Sequence, residues 1–171
     1  MSRTIYLMRH GIAGPPPAGM GDPDRRLTPD GERKMHRIAI GLKRLGIVPD
    51  AVLSSPLRRA EETAALVAAV LAPDVAVEIH LRLAPGHAPA DVISGLHRYR
   101  AAQHLLLVGH QPDLGQLASH LLTGSSGLLG LDFKKGGTAA IEVTSLPPRS
   151  AGALLWFLTP KQLRAIGRGK R

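Results

Sequence analysis

The stretch Thr4-Ile-Tyr-Leu-Met8, running directly into Arg9-His10-Gly11, sets the fold of this 171-residue chain. Five uncharged, mostly apolar residues are too few for a helix and read as a buried strand. The next residues cannot continue it. Gly11 to Arg26 opens with Gly11, Gly14 and Pro15-Pro16-Pro17 and reads as a loop. Thr28 can then cap a helix, Pro29 suits its first position, and Asp30 and Glu32 favour its first turn. Met35, Ile38, Ala39, Leu42 and Leu45 fall on one face of that helix, and Gly46 ends it.

The same order repeats along the chain. Asp50–Ser54 reads as a second strand, and Ser55-Pro56 as the opening of a helix with Ala60, Ala64, Val67, Ala68 and Leu71 inward. Pro73 stops it. Val75–Ile79 is a third strand, followed by a weaker helix near Ala90–Ala101. His104–Val108 is the clearest strand, and Asp113 is expected to cap a helix with Leu114, Leu117, Ala118, Leu121 and Leu122 inward. After a loop at Gly124–Gly130, Ala139–Val143 and Ala153–Leu158 read as two last strands, and Pro160 starts a terminal helix. Strands alternating with helices imply an α/β fold: a three-layer αβα sandwich with a mostly parallel sheet and helices on both faces. The length suits one domain, residues 1–171.

Composition narrows the function. There is no cysteine, which excludes a disulfide scaffold, a thiol nucleophile and thiolate zinc sites. No apolar run reaches the ~18 residues of a membrane span. Met1 to Met8 is too short and polar for a signal peptide, so the expected location is the cytoplasm. Lys and Arg number 22 against 13 acids, a formal +9, which suits an anionic partner. The five aromatics, Tyr6, Tyr99, Phe133, Trp156 and Phe157, are too few and scattered for a base-stacking platform, so nucleic acid is not favoured. Lys161, Arg164, Arg168, Lys170 and Arg171 make residues 161–171 a basic helix end and tail, read as solvated.

In parallel sheets ligands bind beyond the carboxyl ends of the strands. Three such ends carry chemistry: Arg9-His10-Gly11, Ser54-Ser55 leading to Arg58-Arg59, and Gly109-His110-Gln111-Pro112. Arginine forks match phosphoryl oxygens, and helix N-termini favour anions. With no cysteine available, a neutral imidazole is the nucleophile at hand, able to carry a phosphoryl group and release it to water. Taken alone, His10 reads as a structural histidine. Arg9 beside it and His110 on another strand end reverse that. A metal site is disfavoured: no carboxylate accompanies His10 and His110 in these motifs, and Arg9 would repel a cation. No G-x-G-x-x-G follows a strand, so a dinucleotide site is also disfavoured.

Leu7-Met8-Arg9-His10-Gly11 resembles the signature of the histidine phosphatase superfamily, which includes phosphoglycerate mutase. Ser54-Ser-Pro-Leu-Arg-Arg-Ala-Glu-Glu-Thr63 and Val108-Gly-His-Gln-Pro112 support the resemblance, in the family's order. The short length and Arg25-Arg-Leu-Thr-Pro-Asp-Gly31 are similar to the small SixA-like phosphohistidine phosphatase branch. The resemblance implies a phosphoglycerate mutase-like fold, with His10 as nucleophile and Arg9, Arg59 and His110 holding phosphoryl oxygens. Arg59 is preferred to Arg58 because the family arginine directly precedes an alanine, here Ala60. Arg25 is expected at the pocket rim, with Gly11 and Gln111 as further substrate contacts. No cofactor or metal is implied.

One departure bears on substrate. Many family members carry an acid just after the third strand, and here His80-Leu-Arg-Leu-Ala-Pro-Gly-His-Ala-Pro-Ala90 has none. Alkoxide leaving groups need a general acid. An imidazole leaving from phosphorus does not need the same help, so the expected substrate is phosphohistidine in a protein, such as a histidine-phosphotransfer domain. His87 and Asp91 are the remaining proton donors to weigh. A phosphatase of small phosphomonoesters or phosphoanhydrides is the rival enzyme. A non-catalytic phosphate- or polyanion-binding module is the rival of another class. A mutase is disfavoured, since 171 residues leave little room for a closing lid.

Overall fold

The computed structural model describes residues 2–169. Six strands, β1 (Arg3–Arg9), β2 (Ala51–Ser54), β3 (Val77–Ile79), β4 (His104–Gly109), β5 (Thr138–Val143) and β6 (Ala153–Leu158), form one sheet in the order β3-β2-β4-β1-β5-β6. The first four in that order are parallel. β5 pairs antiparallel with β1, and β6 antiparallel with β5. The helices are α1 (Pro29–Arg44), α2 (Arg58–Leu71), α3 (Pro89–Gly95), α4 (Asp113–Thr123) and α5 (Pro160–Arg168).

Successive side chains of a strand point to opposite faces, and the core divides accordingly. Ile5, Leu7, Leu105 and Leu107 pack with α3, α4 and the fully buried Phe133 on one face. Tyr6, Met8, Leu106 and Val108 pack with α1, α2 and α5 on the other. The αβα sandwich with helices on both faces is therefore present, with a mixed sheet whose antiparallel strands are the last two.

Thr28 caps α1 as expected: its Oγ1 accepts from the Gly31 N–H, with Pro29 in the first turn. α1 and α5 cross where both helices carry glycine. A Cβ on Gly41 would collide with the Leu163 carbonyl oxygen, and one on Gly167 with that of Arg37. Two glycines therefore permit the close approach that seats α5, the segment expected to be a solvated basic end, against α1. Lys170 and Arg171 lie outside the described residues.

Four local expectations need correction. Leu45 follows the end of α1 and is exposed rather than part of the buried face. The second helix begins at Arg58, because Ser55 Oγ accepts the Leu57 N–H and holds residues 55–57 in a turn. The stretch 90–101 divides into α3 and a 3-10 turn, Leu96–Tyr99. Asp113 does not cap α4. Pro112 occupies that position, and the Asp113 carboxylate accepts the Gly86 N–H at 2.7 Å across to the loop after β3.

Candidate active site

Strand register builds the site. β1 and β4 pair in parallel with Arg9 opposite Gly109, so the next residue of each strand is a histidine. The His10 N–H donates to the Gly109 carbonyl, and the two imidazole centroids lie 5.0 Å apart. β2 aligns Ser54 with Val108, which brings Ser55 Oγ to 2.7 Å from His110 Nε2. Arg59, in the first turn of α2, reaches the same point: its Nε donates to His10 Nε2 at 3.2 Å. Arg9 is steadied by donating from Nη1 to the Phe133 carbonyl at 2.8 Å.

Hydrogen bonding fixes the tautomer of His10. Its Nδ1 donates to the Gly11 carbonyl at 2.7 Å, which leaves the lone pair on Nε2, where Arg59 donates. A phosphate oxygen is a stronger acceptor for a guanidinium than a neutral imidazole nitrogen is. Burial pushes His10 down to about 3, with His110, Arg59 and Arg9 adding to the effect against the opposing Gly11 bond. Burial and then Arg59 push His110 down to about 4. Both rings are neutral at physiological pH, the state a nucleophilic imidazole requires. Arg9 Nε and His110 Nδ1 are buried without hydrogen-bond partners.

These depressed values carry a pH prediction. The unfolded chain takes up protons on both histidines near pH 6.5, while the folded chain resists until pH 3–4. Between those limits the unfolded state binds more protons, so their contribution is present above pH 6.5 and is lost on acidification. Urea unfolding in anion-free buffer is expected to show stability falling from pH 7 to pH 5 by roughly 1 kcal/mol per histidine per unit. His110→Asn is expected to flatten that slope.

The other expected residues occupy defined places. Arg25 stands at the rim, with Nε on the Gly14 carbonyl and Nη1 on Asp22 at 3.2 Å. Gly11 is engaged on both backbone groups, since its N–H donates to Thr63 Oγ1 at 3.0 Å and its carbonyl holds His10. The geometry makes it a support for His10. Gln111 turns to the loop before β5, where its amide donates to the Leu131 carbonyl at 3.1 Å. Arg58 is exposed and pairs with Glu62.

Sequence reasoning missed three participants. Asp22 accepts from Arg59 Nη2 and Arg25 Nη1, both at 3.2 Å, and its backbone carbonyl accepts from Arg59 Nη1. Its spacing of three before Arg25 was the available signal. Ser55, which holds His110, reads in sequence as a helix opener, and Thr63, which holds the Gly11 amide, only as the end of the Ser54–Thr63 motif. Hydrogen bonding to Arg25 first, and the Arg59 charge, keep the Asp22 carboxyl below its usual range.

Fold and site together define an α/β protein whose neighbouring strand ends bring two histidines together, with Arg59 hydrogen-bonded to one of them and Arg9 at the end of the same strand. The chain belongs to the histidine phosphatase superfamily (branch 1), whose family model matches residues 5–84, and falls with its SixA-like members. An uncharacterized protein of Picosynechococcus sp. is 39% identical over 164 residues, covering 93% of this chain and 98% of its own. The solved protein histidine phosphatase SixA in complex with tungstate is 26% identical with a TM-score of 0.82, covering 94% of this chain and 99% of its own. The α-ribazole phosphatase of Shigella flexneri shares the fold at 19% identity and a TM-score of 0.73, over 92% of this chain and 96% of its own. The chain is thus a phosphatase acting on phosphorylated substrates.

Proposed function

We propose that this phosphatase removes the phosphoryl group from phosphohistidine in a protein, carrying it transiently on His10 Nε2. Arg9, Arg59 and His110 hold the phosphoryl oxygens in this reading. His10 Nε2 attacks phosphorus while the bond to the partner's imidazole nitrogen breaks. The partner ring, protonated on its other nitrogen beforehand, departs neutral. Water then attacks the phosphorus of phospho-His10, loses a proton to solvent, and releases inorganic phosphate with His10 restored.

The carrying observation is that no carboxyl group hydrogen-bonds to the His10 or His110 ring among the described residues. Residues 80–90, where family members place one, hold no carboxylate. His10 and His110 make hydrogen bonds only to Gly11, Arg59, Gly109 and Ser55 among the described residues, apart from the helical bond that the His110 carbonyl accepts. Asp22, the acid nearest Arg59, is kept ionised by its arginine partners and so is a poor proton donor at neutral pH. Asp113 lines a hollow beside His110 together with His87, but its Oδ2 is engaged by the Gly86 N–H. His87 and Asp91 are exposed on the loop and on α3. A site built this way serves a leaving group that needs no proton in the transition state.

A panel without added metal tests the reading. Phosphohistidine on a histidine-phosphotransfer protein is expected to turn over at least about 100-fold faster in kcat/KM than an alkyl phosphate, since one general acid is worth ~10²–10⁴. An alkyl phosphate hydrolysed as fast as the phosphoprotein would give the site to small phosphomonoesters instead.

A further inference from the structure

Beside the phosphoryl cage, and sharing Arg9 and Gly11 with it, lies an open basin lined by Lys34, Lys134, Lys135 and Arg164. Its floor is built close: Gly31 packs against the Ile12 carbonyl, and Gly136, at φ +84°, leaves no room for a Cβ against Ile38 and Met35. The cations come from three separate elements: α1, the turn before β5, and α5.

The turn is fixed to the site itself. The Gly136 N–H donates to the Arg9 carbonyl at 3.0 Å, and the Arg9 N–H to the Gly137 carbonyl at 3.1 Å. Gly137 also closes the turn onto Lys134 at 2.6 Å. Lys135 is therefore held alongside Arg9 by backbone bonds. Lys34 pairs with Asp30 and Lys134 with Asp132. Lys135 and Arg164 have no carboxylate within 4.0 Å among the described residues. Partial burial and the nearby Arg9, Arg25 and Arg59 lower the Lys135 pKa, as expected for an ammonium facing other cations. Uncompensated like charges held together by packing and backbone bonds are stabilised by an anion placed among them.

We infer that this basin receives a second anionic group of the substrate, phosphate or carboxylate, with Lys135 and Arg164 as its principal partners. The inference rests on the cage being the phosphoryl site and adds that the substrate is anionic on both sides of Arg9. For a phosphoprotein the second group is an acidic side chain near the phosphohistidine. For a small molecule it is a second phosphate or a carboxylate.

Binding without turnover tests it. Calorimetry compares alkane bisphosphonates of two to five carbons with the matching monophosphonates, on the whole protein. At one chain length or more, the bisphosphonate is expected to bind about tenfold tighter or better. That gain is expected to fall to about twofold or less in Lys135→Gln/Arg164→Gln. It is expected to persist in Lys43→Gln/Arg100→Gln, which removes the same charge from exposed positions at the far end of α1 and ahead of β4. A matching series with a terminal carboxylate distinguishes a protein side chain from a second phosphate. No gain in the unaltered protein, or an equal gain in both double variants, would overturn the inference while leaving the phosphoryl cage intact. If the double variant no longer binds monophosphonate, Lys135→Gln alone, an exposed turn residue, is read in the same way. Failure of every monophosphonate to bind the unaltered protein would remove the cage and this inference with it.

Discussion

His10→Ala is expected to lower kcat by at least about 10⁴-fold on any substrate the protein turns over, because it deletes the atom proposed to bond to phosphorus. Binding behaves differently. The cage donors come from Arg9, Arg59 and His110, anchored by Phe133, Asp22 and Ser55 rather than by His10 alone. Removing the imidazole also frees the Arg59 Nε donor for a ligand. Tungstate or phosphate affinity is therefore expected to stay within about threefold of the unaltered protein, read by calorimetry. Unaltered protein mixed with phosphohistidine substrate and quenched in alkali is expected to carry alkali-stable, acid-labile phosphate, absent from His10→Ala. Retained turnover in His10→Ala would remove the nucleophile assignment.

Much of this arrangement is legible in the sequence because it follows from strand ends. An apolar run fixes where a strand stops, and parallel order sends every such stop to one edge. Arg9-His10 and Gly109-His110 therefore had to meet, and register brings their rings together. Arg59 was separable from Arg58 only through the family pattern. The structure supplies the physical ground: one turns inward from the first turn of α2, and the other pairs with Glu62 in solvent. The features that stayed hidden depend on loops whose paths carry no periodicity. Asp22 reaches Arg59 only because residues 13–27 fold back, with Ala13 bridging Leu27. Gln111 sits in a family motif, yet its amide is drawn to Leu131 by a loop that hydropathy cannot place. The basic residues Lys161 and Arg168 are exposed, as composition suggests, but the seating of their helix was not legible. Gly41 and Gly167 let α5 pack closely, and a helix-crossing glycine has no signature until both helices are known.

Arg59→Lys is expected to lose about 10²–10³-fold in kcat/KM, even though the charge is kept. Arg59 is 6% exposed and uses all three guanidinium nitrogens: Nε toward His10, Nη1 on the Asp22 carbonyl and Nη2 on the Asp22 carboxylate. A lysine ammonium is a compact point charge and cannot span those directions, so it gives up either the Asp22 anchor or the donor aimed at Nε2. Loss of one aligned donor to developing phosphoryl charge is worth about 3–4 kcal/mol in the transition state. Arg58→Ala is the matched control. It removes a neighbouring arginine whose side chain is half-exposed, and Glu62 keeps both Arg26 and the Leu27 N–H as partners. Its kcat/KM is expected to stay within about twofold, as for other exposed ion pairs. Comparable losses in the two variants would mean that general positive charge, rather than the inward fork, assists catalysis. A loss confined to Arg59→Lys ties the rate to the geometry that the first turn of α2 imposes.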